Sequence, residues 1–218
     1  FTTWLFVRMM PDVSMMTRAG VERIMRFAFR LAQSRPRRQL TVVTKSNAQR
    51  HAMVMWDEVA REVARDFPDV TWDKELVDAM TARMVNRPAS IDTVVATNLH
   101  AHILPALAAA LAGSLGIAPT ANLDPERRHP SMFEPIHGSA FDIMGKGLAN
   151  PVGTFWSCVM LLEHLGETAA AATLMRAIER VTADPALHTR DLGGTATTAQ
   201  VTQAVCMHVR EARTLHAS

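Results

Sequence analysis

The spacing of apolar and polar positions divides most of the chain into helices separated by short β-branched runs. Residues Phe1 to Ser14 carry no clear period. From Thr17, a candidate N-cap, the positions Val21, Ile24, Phe27, Ala28 and Leu31 recur at helical spacing. The basic run Arg35 to Arg38, broken by Pro36, ends that helix as an expected solvated turn. Leu40 to Thr44 is β-branched and short, which predicts a buried strand. A helix is expected from about Gln49 to Asp66, then a short extended piece at Val70 to Trp72. Lys74 to Val85 reads as another helix, with Glu75 and Asp78 neighbouring at i, i+3. Asp92 to Thr97 reads as a second buried strand, and Ala106 to Leu115 as an Ala-rich helix. Pro105 restricts that helix to starting within a turn of it. A turn-rich connection follows from Gly116 to Pro130, then Val152 to His164 and Thr168 to Thr182 as paired helices. Asp191 to Gly194 is a turn, and Thr197 to Arg213 a closing helix. Helices interleaved with short β-branched runs predict an α/β fold.

Composition changes this picture little. The 218 residues can bury a substantial core, and 48% hydrophobic with 20% charged residues is ordinary for a soluble globular chain. A net charge of +2 gives no electrostatic case for nucleic acid or a membrane surface. The most apolar stretch, Ile103 to Pro119, is too short and interrupted to span a bilayer. No signal peptide is evident, although the chain starts at Phe1 rather than Met, so its true beginning lies outside this sequence by expectation. Cys158 and Cys206 fall in apolar helical patterns and are expected as buried free thiols, which fits a reducing cytoplasm. There are 14 methionines and no tyrosine.

The segment richest in chemistry is Ser131 to Pro151. The apolar pair Met132-Phe133 leads into His137, Gly138, Ser139, Ala140, Asp142, Gly145, Gly147 and Asn150. Small residues let backbone N–H groups approach a phosphate closely. His137 offers a flat ring, Asp142 an acceptor for a sugar hydroxyl, and Asn150 both a donor and an acceptor edge. On glycine content alone a surface loop is equally compatible, and the dinucleotide fingerprint Gly-x-Gly-x-x-Gly is absent.

Read as a whole, this segment resembles the cofactor loop of the β-decarboxylating dehydrogenases, the isopropylmalate, isocitrate, D-malate and tartrate dehydrogenase family. That pattern is Glu-Pro-x-His-Gly-Ser-Ala-Pro-Asp-Ile-x-Gly-x-x-x-Ala-Asn-Pro, and the chain departs from it at Phe141, where the family has proline. The resemblance runs from Thr17 to Val209, ends with Asp191-Leu-Gly-Gly194, and is nearest the tartrate and D-malate branch in the Gly116 to Pro130 connection. It implies an isopropylmalate-dehydrogenase-like α/β fold, with residues 1–112 as a substrate and dimer domain and residues 113–218 as a cofactor domain. The acidic residue at Asp142 implies NAD rather than NADP, with His137, Gly138, Ser139, Ala140 and Asn150 as further cofactor contacts.

Other positions inherit roles in the same way. Lys45, followed by a small residue and Asn47, matches the family's acid/base lysine and its positioning asparagine, and Asp78 matches a carboxylate for Mg²⁺ or Mn²⁺. The family's other two metal aspartates are replaced here by His102 and Ala106, and Pro105 replaces a serine. His102 keeps a nitrogen donor, while Ala106 offers none, so the cation site is weakened. A new site built from His100 and His102 is disfavoured, because a helix splays residues at i, i+2.

The implied reaction is NAD-dependent oxidation at C2 of a 2-hydroxy dicarboxylate such as tartrate or D-malate, with CO₂ loss assisted by the cation as a Lewis acid. The lysine and helix aspartate serve a neighbouring subunit in this family, which implies a homodimer. The family's substrate-gripping arginines and its tyrosine lie upstream of the matched region. The expectation is therefore an incomplete or impaired copy of such an enzyme. The alternative is a non-catalytic nucleotide-binding or dimer-partner subunit.

Overall fold

The computed structural model describes residues 13–215 and divides into two compact units, one ending at His102 and one beginning at Ile103. In the first unit, helix α1 (Arg18–Ser34) starts where Thr17 accepts a hydrogen bond from the Gly20 N–H. Its buried stripe is Val21, Met25, Ala28, Phe29 and Ala32, whereas Ile24 and Leu31 are exposed. The packing face is thus rotated from the one expected. Phe29 decides this, stacking on Phe67 at 5.4 Å and meeting Trp72 edge-on at 6.3 Å between ring centroids.

Strand β1 (Gln39–Thr44) is buried from Leu40 through Thr44. It lies between β2 (Thr71–Leu76) and β3 (Thr93–Val95), parallel to both. A strand covered on both faces requires the continuous β-branched run found there. Helix α2 (Ala52–Ala64) packs on α1 and β1 and contributes Met53, Trp56, Val59 and Val63 to the core.

Strand β2 corrects an expectation. Lys74 and Glu75 belong to the strand, and the helix that follows, α3 (Val77–Asn86), starts only after Leu76. Edge strands tolerate charge, so Thr71–Leu76 lacks the apolar signature that marks β1. Asp73 and Glu75, two apart on one strand face, both accept from Arg83 Nη1, at 2.8 and 3.0 Å. The basic turn after α1 is likewise more than a solvated link. Arg35 pairs with Asp92 at 2.7 Å, Arg37 donates to the Ala89 and Ile91 carbonyls at 3.0 Å, and Arg38 reaches Asp69 at 3.3 Å.

The boundary between the units falls inside α4 (Asn98–Leu111), which runs unbroken through Pro105. The helix therefore starts well before Pro105 rather than within a turn of it. The second unit pairs β4 (Pro119–Asn122) antiparallel with β5 (Met132–Pro135). Helix α5 (Val152–Leu165) packs against this ribbon, α6 (Thr168–Ala183) packs on α5, and α7 (Thr198–Leu215) packs on α6, around Val152, Val159, Ile178, Val181, Val201 and Val205. Gly153 is what allows α5 to approach so closely: a Cβ there would lie 2.8 Å from the Gly116 carbonyl oxygen. Cys158 and Cys206 are free and exposed, contrary to expectation, because the valines of α5 and α7 set the packed faces and leave the thiols outside. Among the described residues no helix is long and apolar enough to cross a membrane.

Pro105 removes one hydrogen bond from α4 and crowds the Ala101 carbonyl. Pro105→Ala should stabilise the protein by up to ~3 kcal/mol, read as a higher thermal midpoint.

Candidate functional site

In the first unit the chemistry gathers at the carboxyl ends of the parallel strands. Thr44 closes β1, and the Lys45 carbonyl accepts from the Ala48 and Gln49 N–H groups, at 3.0 and 2.9 Å, to form the turn. Because Thr44 pairs with Leu76, the first turn of α3 arrives beside it. Lys45 Nζ consequently donates to Asp78 Oδ1 at 2.5 Å. The hydrogen bond from Lys45 holds the Asp78 carboxyl below its ordinary value. Position in the first turn of a helix, where the dipole is positive, favours the same charge. Asn47 is exposed on the same turn.

On the other side of the turn lies Asp57 of α2, only 3% exposed. It accepts from Ser46 Oγ at 2.7 Å and Lys74 Nζ at 2.9 Å. Burial pushes its carboxyl up, but Thr44, Ser46 and Lys74 together outweigh burial and hold it below the ordinary carboxylate value. Asp57 was not singled out from sequence, since an acid in an amphipathic helix ordinarily faces solvent.

His100 and His102 diverge on α4, as their spacing predicts. His100 is buried, with Nδ1 lacking a partner, and burial together with the charge of Lys45 depresses its pKa. His102 is exposed. No cluster of three or more His, Cys, Asp or Glu able to hold a metal occurs among the described residues. Asp78 is engaged by Lys45, and the structure does not bring it together with His102 as a donor set.

In the second unit, the segment from His137 to Asn150 wraps a cavity of about 920 Å³. His137, Ser139, Ala140, Asp142 and Asn150 line it; Gly138 does not, and its carbonyl instead accepts from His137 Nδ1 at 2.9 Å. The loop turns back on itself through positive φ at Ala140 (+44°), Gly145 (+75°) and Gly147 (+66°). Ala140 adopts this conformation at a steric cost that the glycines avoid. The first turn of α7 secures the loop's end: Thr198 N donates to the Gly147 carbonyl at 2.9 Å and its hydroxyl to that of Ala149 at 2.5 Å. Asp142 is exposed at the cavity rim, and its carboxylate has no hydrogen-bond partner among the described residues. Phe141, beside it, is 76% exposed.

Asn150 plays a different part from the one its two edges suggested. Its Nδ2 donates to Asp191 at 3.0 Å, and its Oδ1 accepts from the Val152 N–H at 3.0 Å, so it caps α5 and braces the wall. Asp191 is the hub of this wall. It also accepts from Ser114 Oγ and from Thr189 Oγ1, the latter at 2.5 Å. Burial raises its pKa, but these donors prevail and lower it. Ser114 and Asp191 were missed as site residues; the Asp-Leu-Gly-Gly turn was the available signal. Arg190 adds a positive charge to the same cavity.

Comparison with known proteins follows this geometry. The isocitrate/isopropylmalate dehydrogenase family model matches residues 7–205. A protein of Agrobacterium vitis named "Probable tartrate dehydrogenase/decarboxylase" is 71% identical over 195 residues, which are 89% of this chain and 54% of that protein. The D-malate dehydrogenase [decarboxylating] of Escherichia coli K12 is 48% identical over 198 residues, 88% of this chain and 55% of the relative. The crystal structure of isocitrate dehydrogenase from Methylococcus capsulatus superposes with a TM-score of 0.87 at 39% identity, covering 92% of this chain and 59% of that one. The chain thus spans about half the length of the curated relatives it matches.

Asp191→Ala strands three donors and should cost about 1–3 kcal/mol in denaturant unfolding at neutral pH. Because the folded carboxyl is depressed, its contribution is complete above about pH 4 and is lost as pH falls through the folded value. The gap between variant and parent should therefore narrow on acidification.

Proposed function

Because the chain belongs to the isocitrate/isopropylmalate dehydrogenase family, we propose that it carries the cofactor half and part of the substrate half of an NAD-dependent decarboxylating dehydrogenase. The substrate class is a 2-hydroxy dicarboxylate such as tartrate or D-malate, by analogy with the relatives' names. Residues 1–112 are read as the substrate and dimer domain and residues 113–218 as the cofactor domain. A homodimer in the cytoplasm, with no nucleic-acid or membrane partner, completes the reading.

The observation that carries it is the cavity wrapped by His137 to Asn150, with the unpartnered Asp142 carboxylate at its rim. The residues fit a dinucleotide. The loop's small residues suit a pyrophosphate, Asp142 suits a ribose diol, and its charge would repel a 2′-phosphate. NAD, when bound, supplies the hydride acceptor. Asn150, engaged with Asp191 and Val152, acts by shaping the wall. Lys45 is the candidate to accept the C2 hydroxyl proton at Nζ, which requires it to leave Asp78, give its own proton to solvent and face the substrate as a neutral amine; Asn47 positions that substrate from the same turn.

A divalent cation does not fit the residues of this chain in the same way. Asp78 is tied to Lys45, His102 points to an exposed position, and Ala106 has no donor atom. This departure favours an impaired copy, and it also supports a second reading, a non-catalytic nucleotide-binding partner subunit.

NAD at a hundredfold excess over Kd should stabilise the protein by about 2.7 kcal/mol, with NADP weaker and Asp142→Ala reducing the NAD effect. No shift of the thermal midpoint at millimolar NAD would sink the cofactor assignment. The two readings separate in a chain extended with the family's upstream portion, assayed for NADH at 340 nm on the absorbance trace with D-malate or tartrate and Mn²⁺. An impaired enzyme should gain cation-dependent turnover from His102→Asp with Ala106→Asp; a partner subunit should stay silent.

A further inference from the structure

Asp57 is buried at the foot of the Lys45 turn, yet the proposed chemistry leaves it without a task. Its contacts are specific. Ser46, the residue that follows Lys45, donates a hydrogen bond of 2.7 Å to its carboxylate. At the end of an extended strand, successive side chains leave on opposite sides. Drawing Ser46 toward α2 therefore sends Lys45 the other way, where Asp78 receives it at 2.5 Å. The same carboxylate oxygen also accepts from Lys74 Nζ at 2.9 Å, and Lys74 lies on β2, the strand that leads directly into Asp78. One buried charge thus grips both arms of the Lys45–Asp78 pair.

We propose that Asp57 is a positioning residue for Lys45, fixing the direction of its side chain through Ser46 and aligning Asp78 through Lys74. The importance of that direction for turnover rests on the reading of Lys45 as the acid/base group; the positioning itself is measurable without turnover. An ion pair between Lys74 and Asp57 that served only to hold α2 on the sheet would leave the Lys45 direction to the strand alone.

Zero-length carbodiimide coupling of the full chain, followed by peptide mass spectrometry, reads the juxtaposition directly. The sequence contains three lysines, Lys45, Lys74 and Lys146, so the products are few. The unaltered chain should yield a Lys45–Asp78 link. In Asp57→Asn that link should fall several-fold. In Val63→Ala, which removes buried volume from the same helix away from the turn, it should persist despite lost stability. Should Asp57→Asn fail to fold, Ser46→Ala cuts only the tether to the turn and should lower the link in the same direction. An undiminished Lys45–Asp78 link in folded Asp57→Asn or in Ser46→Ala overturns the proposal, as does an equal fall in Val63→Ala. Should Lys45→Met leave turnover of the extended enzyme intact, the acid/base reading fails while the coupling result stands on its own.

Discussion

The parallel pairing of β1 with both of its neighbours is the constraint on which the first unit depends. From Leu40 through Thr44 the strand is shut away from water, so each of its peptide groups must find a partner in β2 or β3. That requirement pulls the polar segment Thr71–Leu76 into extended conformation, although its side chains would have accepted a helix. The register then brings the residues after Thr44 and Leu76 to the same end of the sheet. Lys45 and Asp78, thirty-three positions apart, meet as a consequence of backbone pairing rather than of any local preference.

The second unit builds its cavity by another means. Here a loop with little regular structure is held open by polar anchors: Thr198 at its end, Asn150 at the entry to α5, and Asp191 at the centre of the wall. These are hydrogen bonds whose loss leaves unsatisfied groups, which makes the wall stiff at the points where it is anchored. The intervening stretch has Ala140 in a left-handed conformation and leaves Phe141 and Asp142 open to solvent.

The departures from family pattern cluster unevenly. The His137–Asn150 segment differs at Phe141, an exposed position that places no demand on the surrounding fold. Along α4 the changes at His102, Pro105 and Ala106 remove oxygen donors and one backbone hydrogen bond from the same two turns of helix. The fold accommodates these residues because the core around β1 and the packing of α5, α6 and α7 do not involve their side chains.

What the sequence determined by itself was the class of fold, most of the helices, the buried strand β1 and the loop from His137 to Asn150. These are local properties: apolar period, β-branching, turn chemistry and a long specific motif. It misplaced the packing face of α1, the length of β2, the start of α4 and the exposure of both cysteines. Three of those depend on what lies opposite in space: Phe67 and Trp72 against Phe29, β1 against Lys74 and Glu75, and α6 against the valine faces of α5 and α7. Only the tertiary structure made Asp57 and Asp191 visible as hubs, because a carboxylate becomes one through donors that the chain delivers from distant positions.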